Sequence, residues 1–275
     1  MTRAGALPPG VLLIGGGKMG GALLAGWLRG ALRPADAIVI EPDKAAAARG
    51  AALGVSVLPD AAAVPAGFNP GVLVFAVKPQ VMDQVAPAYR ALAGTGALVL
   101  SIAAGRTIGS FTRLLGDVPV VRAMPNTPAA IGRGITVACP NARVTAPMRE
   151  RASTLLAAVG EVAWVEDEAM MDAVTAVSGS GPAYVFLMIE ALAAAGVEAG
   201  LPAPLAARLA LVTVAGSGAL ALESGTAPDE LRRNVTSPGG TTQAALDVLM
   251  AKDGLAPLLA RAVAAATRRS RELAS

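Results

Sequence analysis

The sequence predicts an N-terminal Rossmann-like, doubly wound α/β domain followed by an all-α C-terminal domain. Three observations carry this. Short Val/Leu/Ile runs alternate with helix-like runs from residue 11 to about 166. Several of these runs lack polar alternation, as expected of strands buried on both faces of a parallel sheet under helices. The first is followed at once by Gly15-Gly16-Gly17-Lys18-Met19-Gly20, the order of strand, tight glycine turn and helix. From Asp167 onward no strand-like run remains, and the periodicity is helical with proline and glycine punctuation. The division is placed at 1–166 and 167–275.

The predicted strands are 11–14, 37–40, 55–58, 72–76, 97–102, 118–123, 135–138 and 162–165, with a helix over 22–28 after the glycine turn. The later helices are 169–177, 182–199, 204–222, 228–234, 241–252 and 255–273; Pro182, Pro204 and Pro228 fall at or near first-turn positions, where proline is tolerated.

The spacing Gly15, Gly17, Gly20 is that of a dinucleotide fingerprint: one glycine for the turn, one for close approach to a pyrophosphate, one for helix–strand packing. The helix N-terminus adds free N–H groups and a positive dipole end. In a chain with 31 glycines the same triplet also occurs as a plain strand–helix turn. The second strand ends in Glu41, about 20 residues further on, where a ribose hydroxyl contact requires an acid.

Three loops follow predicted strands: Ala76-Val77-Lys78-Pro79, Ala103-Ala104-Gly105 and Met124-Pro125-Asn126-Thr127-Pro128. Ligands of open α/β sheets sit outside the carboxyl ends of the strands, so these loops are candidates for one shared crevice. Their prolines would also explain ordinary chain reversals. In the helical half, Ser178-Gly179-Ser180-Gly181-Pro182 and Ser237-Pro238-Gly239-Gly240-Thr241-Thr242 each join glycine-rich backbone and hydroxyls to a helix start. Such a turn suits a carboxylate or serves simply as a helix cap; chemistry alone leaves the second loop open between the two.

The chain is 54% hydrophobic, 16% charged and 3% aromatic, which describes a well-buried globular protein with a core of Ala, Val and Leu. Abundant Ala and Gly on the long helices point to close helix–helix interfaces, including ones between subunits. A net charge of +3 without a basic stripe gives no support to nucleic acid as a partner and suits small anionic ligands. The one cysteine, Cys139, excludes an intrachain disulfide, and the absence of histidine removes His-based zinc sites and Ser-His-Asp triads. No metal site is expected. No apolar run reaches bilayer-spanning length without interruption by Glu190, Arg208, Glu223, Gly or Pro, and the first ten residues lack a signal-peptide core. The expected location is the cytoplasm.

A nicotinamide enzyme that reduces a ketone needs a proton donor at the developing alkoxide, commonly His, Lys or Tyr. Here the lysines are Lys18, Lys44, Lys78 and Lys252 and the tyrosines Tyr89 and Tyr184. Neither Lys252 nor Tyr184, the two in the helical half, adjoins the 237–242 loop. A protonated imine removes the requirement, because hydride arrival leaves a neutral amine. The residue inventory therefore leans toward C=N reduction. A β-hydroxyacid dehydrogenase, the first alternative, needs a catalytic lysine on a second-domain helix, and no lysine lies between Lys78 and Lys252. A dinucleotide-binding protein without turnover is the second.

The segment from Asp172 through Ser178-Gly179-Ser180-Gly181-Pro182 to Tyr184, and Asn234-Val235-Thr236-Ser237-Pro238-Gly239-Gly240-Thr241-Thr242, closely resemble Δ1-pyrroline-5-carboxylate reductase. So do Ala76-Val77-Lys78-Pro79 and Met124-Pro125-Asn126-Thr127-Pro128, and the resemblance runs from residue 15 to 272. It implies reduction of 1-pyrroline-5-carboxylate to L-proline by NADPH or NADH, the last step of proline biosynthesis. Thr242 then matches the threonine whose hydroxyl meets the imine nitrogen, and Ser237, Gly239, Gly240 and Thr241 belong to the loop that holds the carboxylate. Ala76 and Lys78 match the nucleotide-side loop, and Asn126 lies toward the nicotinamide. The resemblance also implies a C-terminal dimerisation domain, homodimers often assembled into decamers, and sites shared between subunits. One departure concerns the cofactor. Many relatives carry a Ser/Arg segment after the second strand, whereas this chain has Glu41-Pro42-Asp43-Lys44, which predicts that NADH is used at least as well as NADPH.

Overall fold

The computed structural model describes residues 10–30 and 32–274. Residues 1–9, on which the reading of the N-terminus rests, lie outside the described residues.

The elements of the first half are β1 (Val11–Ile14), α1 (Lys18–Leu28), β2 (Ala37–Ile40), α2 (Lys44–Ala52), β3 (Ser56–Leu58), β4 (Val72–Phe75), α3 (Met82–Val85), α4 (Arg90–Ala93), β5 (Leu98–Ser101), α5 (Ile108–Leu115), β6 (Val120–Met124), β7 (Gly134–Pro140), α6 (Ala146–Ala157) and β8 (Gly160–Trp164). They form one sheet of order β3-β2-β1-β4-β5-β6-β7-β8. Every pairing is parallel except β6 with β7. The strand order reverses between β1 and β4, which opens a crevice at their carboxyl ends.

The apolar runs explain the layering. Val11, Leu13, Val72, Val74, Leu98 and Leu100 bury one face under α1 and α6, with Leu23, Leu24, Trp27, Leu155 and Leu156. Leu12, Ile14, Leu73, Phe75 and Val99 bury the other with Met82, Tyr89, Phe111 and Leu115. Successive residues of a strand point to opposite faces, so a run with no polar alternation must be covered on both. Trp27 donates its indole N–H to the Leu155 carbonyl at 2.8 Å, which ties α1 to α6.

After Trp164 no strand occurs among the described residues. The helices are α7 (Met171–Val174), α8 (Gly181–Glu198), α9 (Ala203–Ser224), α10 (Pro228–Asn234), α11 (Thr241–Leu249) and α12 (Leu255–Ala274). The helix expected over 169–177 is not regular: a 3-10 turn at Glu168–Met170 leads into α7, which passes into a π-helical turn at Thr175–Gly179. Contacts divide the chain into one compact unit running to Gly179 and including the stretch from Thr267, and a second unit from Ser180 to Ala266. The secondary structure thus changes class near residue 166, whereas the packing changes partner at 179.

Within the helical unit α8 lies against α9 through small residues. A Cβ built on Gly196 would stand 3.2 Å from the Ala206 Cβ, and Ala206 and Ala210 are the buried residues of α9. Large apolar side chains remain outside: Phe186 is 56% and Leu187 63% exposed, and Val212 and Leu220 are similarly open. One expectation needs correction here. Two helical runs, Glu168–Glu198 and Ala203–Ser224, are long and apolar enough to cross a membrane by length and composition, with mean hydropathy 1.5 and 1.7. A solitary charge such as Glu190 barely lowers the average of a run otherwise built from Ala, Leu, Val and Met.

Candidate active site

The glycine turn is held by the strands around it. Gly15 has φ +101°, and a Cβ there would stand 2.8 Å from the Ala76 carbonyl oxygen on the loop after β4. Gly20 is closer still: its Cβ would lie 2.1 Å from the Gly15 carbonyl oxygen. These two glycines exist for packing. Gly17 does not. It precedes α1, no side chain caps the helix there, and nothing lies within 4 Å of a Cβ built on it. That open space over uncapped N–H groups is the cradle a pyrophosphate would fill. Lys18 is exposed, and Met19 leans onto the core beside α1.

Glu41, half-buried at the end of β2, is fixed from two sides. Gly16 donates its N–H to Glu41 Oε2 at 2.7 Å, and Asp43 donates its N–H to Oε1 at 2.9 Å. Asp43 in turn caps α2, accepting the Ala46 N–H at 2.8 Å. The carboxylate therefore sits preorganised at the mouth of a cleft of about 540 Å³, a size that suits a small ligand or part of a larger one. Gly15, Gly17, Glu41, Ala76, Val77 and Lys78 all line this cleft. The residues present thus fit a dinucleotide: glycine turn for the phosphates, Glu41 for the ribose, apolar wall for the base.

Other expected residues stand apart from that cleft. Pro79 begins a 3-10 turn. Ala103 is buried, with its N–H donated to Ser101 Oγ at 3.2 Å, and Ala104 is exposed. A Cβ on Gly105, which has φ +72°, would stand 3.3 Å from the Leu273 carbonyl oxygen, so the end of α12 covers this loop. Asn126 follows β6. Ile135 donates its N–H to Asn126 Oδ1 at 3.0 Å, and Asn126 Nδ2 reaches Ser178 Oγ at 3.4 Å.

In the helical unit the 237–242 loop turns at Gly239, φ +71°, where Gly240 donates its N–H to the Ser237 carbonyl at 3.0 Å. A Cβ on Gly240 would fall 2.6 Å from Ser237 Oγ, so the turn admits only glycine without rearrangement. No side chain caps α11, which weighs against reading the loop as a cap. Ser237 and Thr241 are exposed and Thr242 is half-buried. The arrangement offers first-turn N–H groups, with hydroxyls nearby, to an anion.

Several contributors were missed. Pro59, Asp60, Ala61, Gln84, Val85 and Ala88 also line the cleft; Leu58-Pro59-Asp60 at the end of a strand was the available signal. Tyr89 lines it too but belongs to the core, 2% exposed, set edge-on to Phe75, with burial pushing its phenol up to about 12. Its phenol is a weaker acid than an ordinary tyrosine's. Lys252 is exposed. Arg122, a charge inside an apolar strand, is buried and donates Nη1–H to Glu168 Oε1 at 2.9 Å. Glu168 Oε1 also accepts the Ile108 N–H that opens α5, at 2.8 Å. The pair joins β6, α5 and the segment leading to the π turn. Burial, and next the charge of Glu168, push the Cys139 thiol up to about 11.

Comparison with known proteins adds kinship. Residues 168–273 match the family described as pyrroline-5-carboxylate reductase dimerisation, and residues 10–105 match that described as NADP oxidoreductase coenzyme F420-dependent. A pyrroline-5-carboxylate reductase of Pseudomonas aeruginosa is 43% identical over 97% of both chains. The solved structure of one from Coxiella burnetii superposes with a TM-score of 0.91 at 34% identity, covering 97% of this chain and 99% of that one. A pyrroline carboxylate reductase of Plasmodium falciparum, solved with NADP bound, gives 0.83 at 28% identity over 98% and 100%. With its doubly wound sheet, open glycine turn and end-to-end likeness to these enzymes, the chain belongs to the pyrroline-5-carboxylate reductase family.

Proposed function

We propose that this chain reduces 1-pyrroline-5-carboxylate to L-proline at the expense of NADH or NADPH, as the last step of proline biosynthesis. Its full-length membership of the reductase family carries the reading. The bound dinucleotide supplies the hydride. The chain supplies placement: Gly15, Gly17, Lys18, Met19 and Gly20 form the phosphate turn, with Ala76, Val77, Lys78, Pro79, Ala103, Ala104, Gly105 and Asn126 along the strand ends. Ser237, Gly239, Gly240 and Thr241 hold the substrate carboxylate on the uncapped start of α11. Thr242 hydrogen-bonds at the imine nitrogen. Because a protonated imine becomes a neutral amine, no further general acid is required.

The carboxylate of Glu41 accepts a ribose 2′-hydroxyl and repels a 2′-phosphate, so NADH is used at least as well as NADPH. The 167–275 segment serves dimerisation, and dimers built further into decamers complete each site with residues from two copies. The uncovered apolar side chains of α8 and α9 support this assembly. The protein works in the cytoplasm.

Following NADH absorbance with and without added 1-pyrroline-5-carboxylate tests the reading. Oxidation that depends on the imine is expected; none would overturn it.

A further inference from the structure

The π turn at Thr175–Gly179 stands out among the helices, because wide turns are costly and tend to mark functional positions. It sets Ser178 against Asn126 (Nδ2 to Oγ 3.4 Å) at the carboxyl end of β6. The Asn126 amide has only one workable orientation. Ile135 donates a backbone N–H to it, so the atom receiving that bond is the oxygen. Nδ2 therefore faces Ser178, and Ser178 Oγ must accept. The hydroxyl hydrogen of Ser178 is left over, and no acceptor takes it among the described residues. A half-buried donor, oriented by a pinned amide and left unused, is a ligand-facing group.

The strand order indicates which ligand. The adenosine side of the crevice lies on β1, β2 and β3, where Glu41 and the cleft are found. A dinucleotide crosses the switch point between β1 and β4 and extends over the far strands, toward β6 and Asn126. We infer that Asn126 and Ser178 form a positioning pair, in which the pinned carboxamide turns the Ser178 hydroxyl to donate to the nicotinamide end of the dinucleotide. The inference rests on the proposed dinucleotide chemistry and adds a residue to it. The 3.4 Å separation is at the long end for a hydrogen bond and shortens when ligand binds.

The test uses NADH as probe and reads its Kd directly, by fluorescence, beside kcat and both KM values. Ser178→Ala should raise the Kd and the KM for NADH about three- to tenfold, the range of one neutral hydrogen bond, with the imine KM unchanged. Ser178→Thr should restore both to within about twofold. Asn126→Asp keeps an acceptor for the Ile135 N–H but faces Ser178 with a second acceptor, so the hydroxyl turns inward. In that background Ser178→Ala should therefore cost nothing further. Ser178→Cys, of the same shape with a weak donor, serves if the alanine variant does not fold. Wild-type NADH affinity in Ser178→Ala, a loss confined to the imine KM, or full additivity with Asn126→Asp would overturn the inference. Failure of imine-dependent turnover in the wild type would instead strike at the proposed reaction and leave the binding result standing.

Discussion

Replacing Glu41 by glutamine separates two effects that the carboxylate combines. The amide keeps one oxygen, enough for either the Gly16 N–H, now received at 2.7 Å, or the Asp43 N–H, received at 2.9 Å, so one backbone bond is lost at a cost of about 0.5–1.5 kcal/mol, while Asp43 still caps α2 through Ala46. Cofactor choice should move a great deal. A hydroxyl donating to a charged acceptor contributes about 1.5–3 kcal/mol, against about 0.5–1.5 to a neutral one. NADH should therefore lose roughly 1 kcal/mol, about fivefold in kcat/KM. A phosphate about 4 Å from a carboxylate meets roughly 1 kcal/mol of repulsion per unit charge in a water-like surrounding and about 4 kcal/mol in a partly shielded one. Glu41 is half-buried at an open mouth, so the low end applies, and NADPH should gain about fivefold or somewhat more. The NADH/NADPH ratio of kcat/KM should fall roughly 25-fold or further in Glu41→Gln, measured at fixed ionic strength because salt screens the repulsive part. An unchanged ratio would refute the role of the charge, and a strong NADPH preference in the wild type would refute the premise.

Other outcomes follow from the same geometry. Gly17→Ala should fold with an unchanged melting temperature, since nothing lies within 4 Å of its Cβ, yet lose dinucleotide binding by titration; Gly20→Ala, whose Cβ would lie 2.1 Å from a backbone oxygen, should fail at folding itself. Thr242→Ala should lower kcat markedly while the Kd for NADH stays near normal, and an unaltered kcat would remove Thr242 from the chemistry. Glu168→Ala strands the Arg122 charge, whose side chain is 6% exposed, and should cost about 3 kcal/mol in denaturant unfolding, the low end for a broken buried pair because Glu168 itself is 30% exposed. Cys139, buried and with its thiol pushed up to about 11, should resist a thiol reagent at pH 8 and react once the protein is unfolded.

The sheet was legible because its inner strands β1, β2, β4 and β5, buried on both faces, read as near-continuous apolar runs, while β3 and β8 at its two edges are partly exposed. Each predicted strand has its counterpart within two residues at either end. Two glycines of the fingerprint, Gly15 and Gly20, were legible for a related reason, since a glycine whose Cβ would strike a backbone oxygen leaves no choice of residue, whereas packing sets no such demand at Gly17. The 168–179 segment was not legible. A π turn has no periodicity of its own, and its cause lies in partners remote in sequence: Asn126 for Ser178, Arg122 and Ile108 for Glu168, and Ser270 for Asp172, whose Oδ1 accepts the Ser270 hydroxyl at 2.7 Å. The cover that Leu273 lays over Gly105 was hidden in the same way. Residues that share the cleft with Glu41 but are set by the turn after β3, such as Asp60, carry only the weak signal of a polar turn at a strand end.

The glycine turn and the 237–242 loop also differ in what each can do unaided. The turn is wedged between two strands and a helix, so its shape survives the absence of ligand, and Glu41 is already locked to Gly16. The loop lies on a helix with no buried residues, in a unit whose longest helices leave Phe186, Leu187 and Leu220 more than half exposed. Burying such side chains is worth about 1.5–3 kcal/mol each, and a chain that leaves them in water lacks what would hold the 237–242 loop still. Catalysis requires that loop to be held to a fraction of an ångström. Under the proposed assembly a second copy covers the apolar faces of α8 and α9 and supplies that restraint, so turnover should be lost on dilution to single copies, whereas dinucleotide binding, which rests on the first unit's own packing, should survive it.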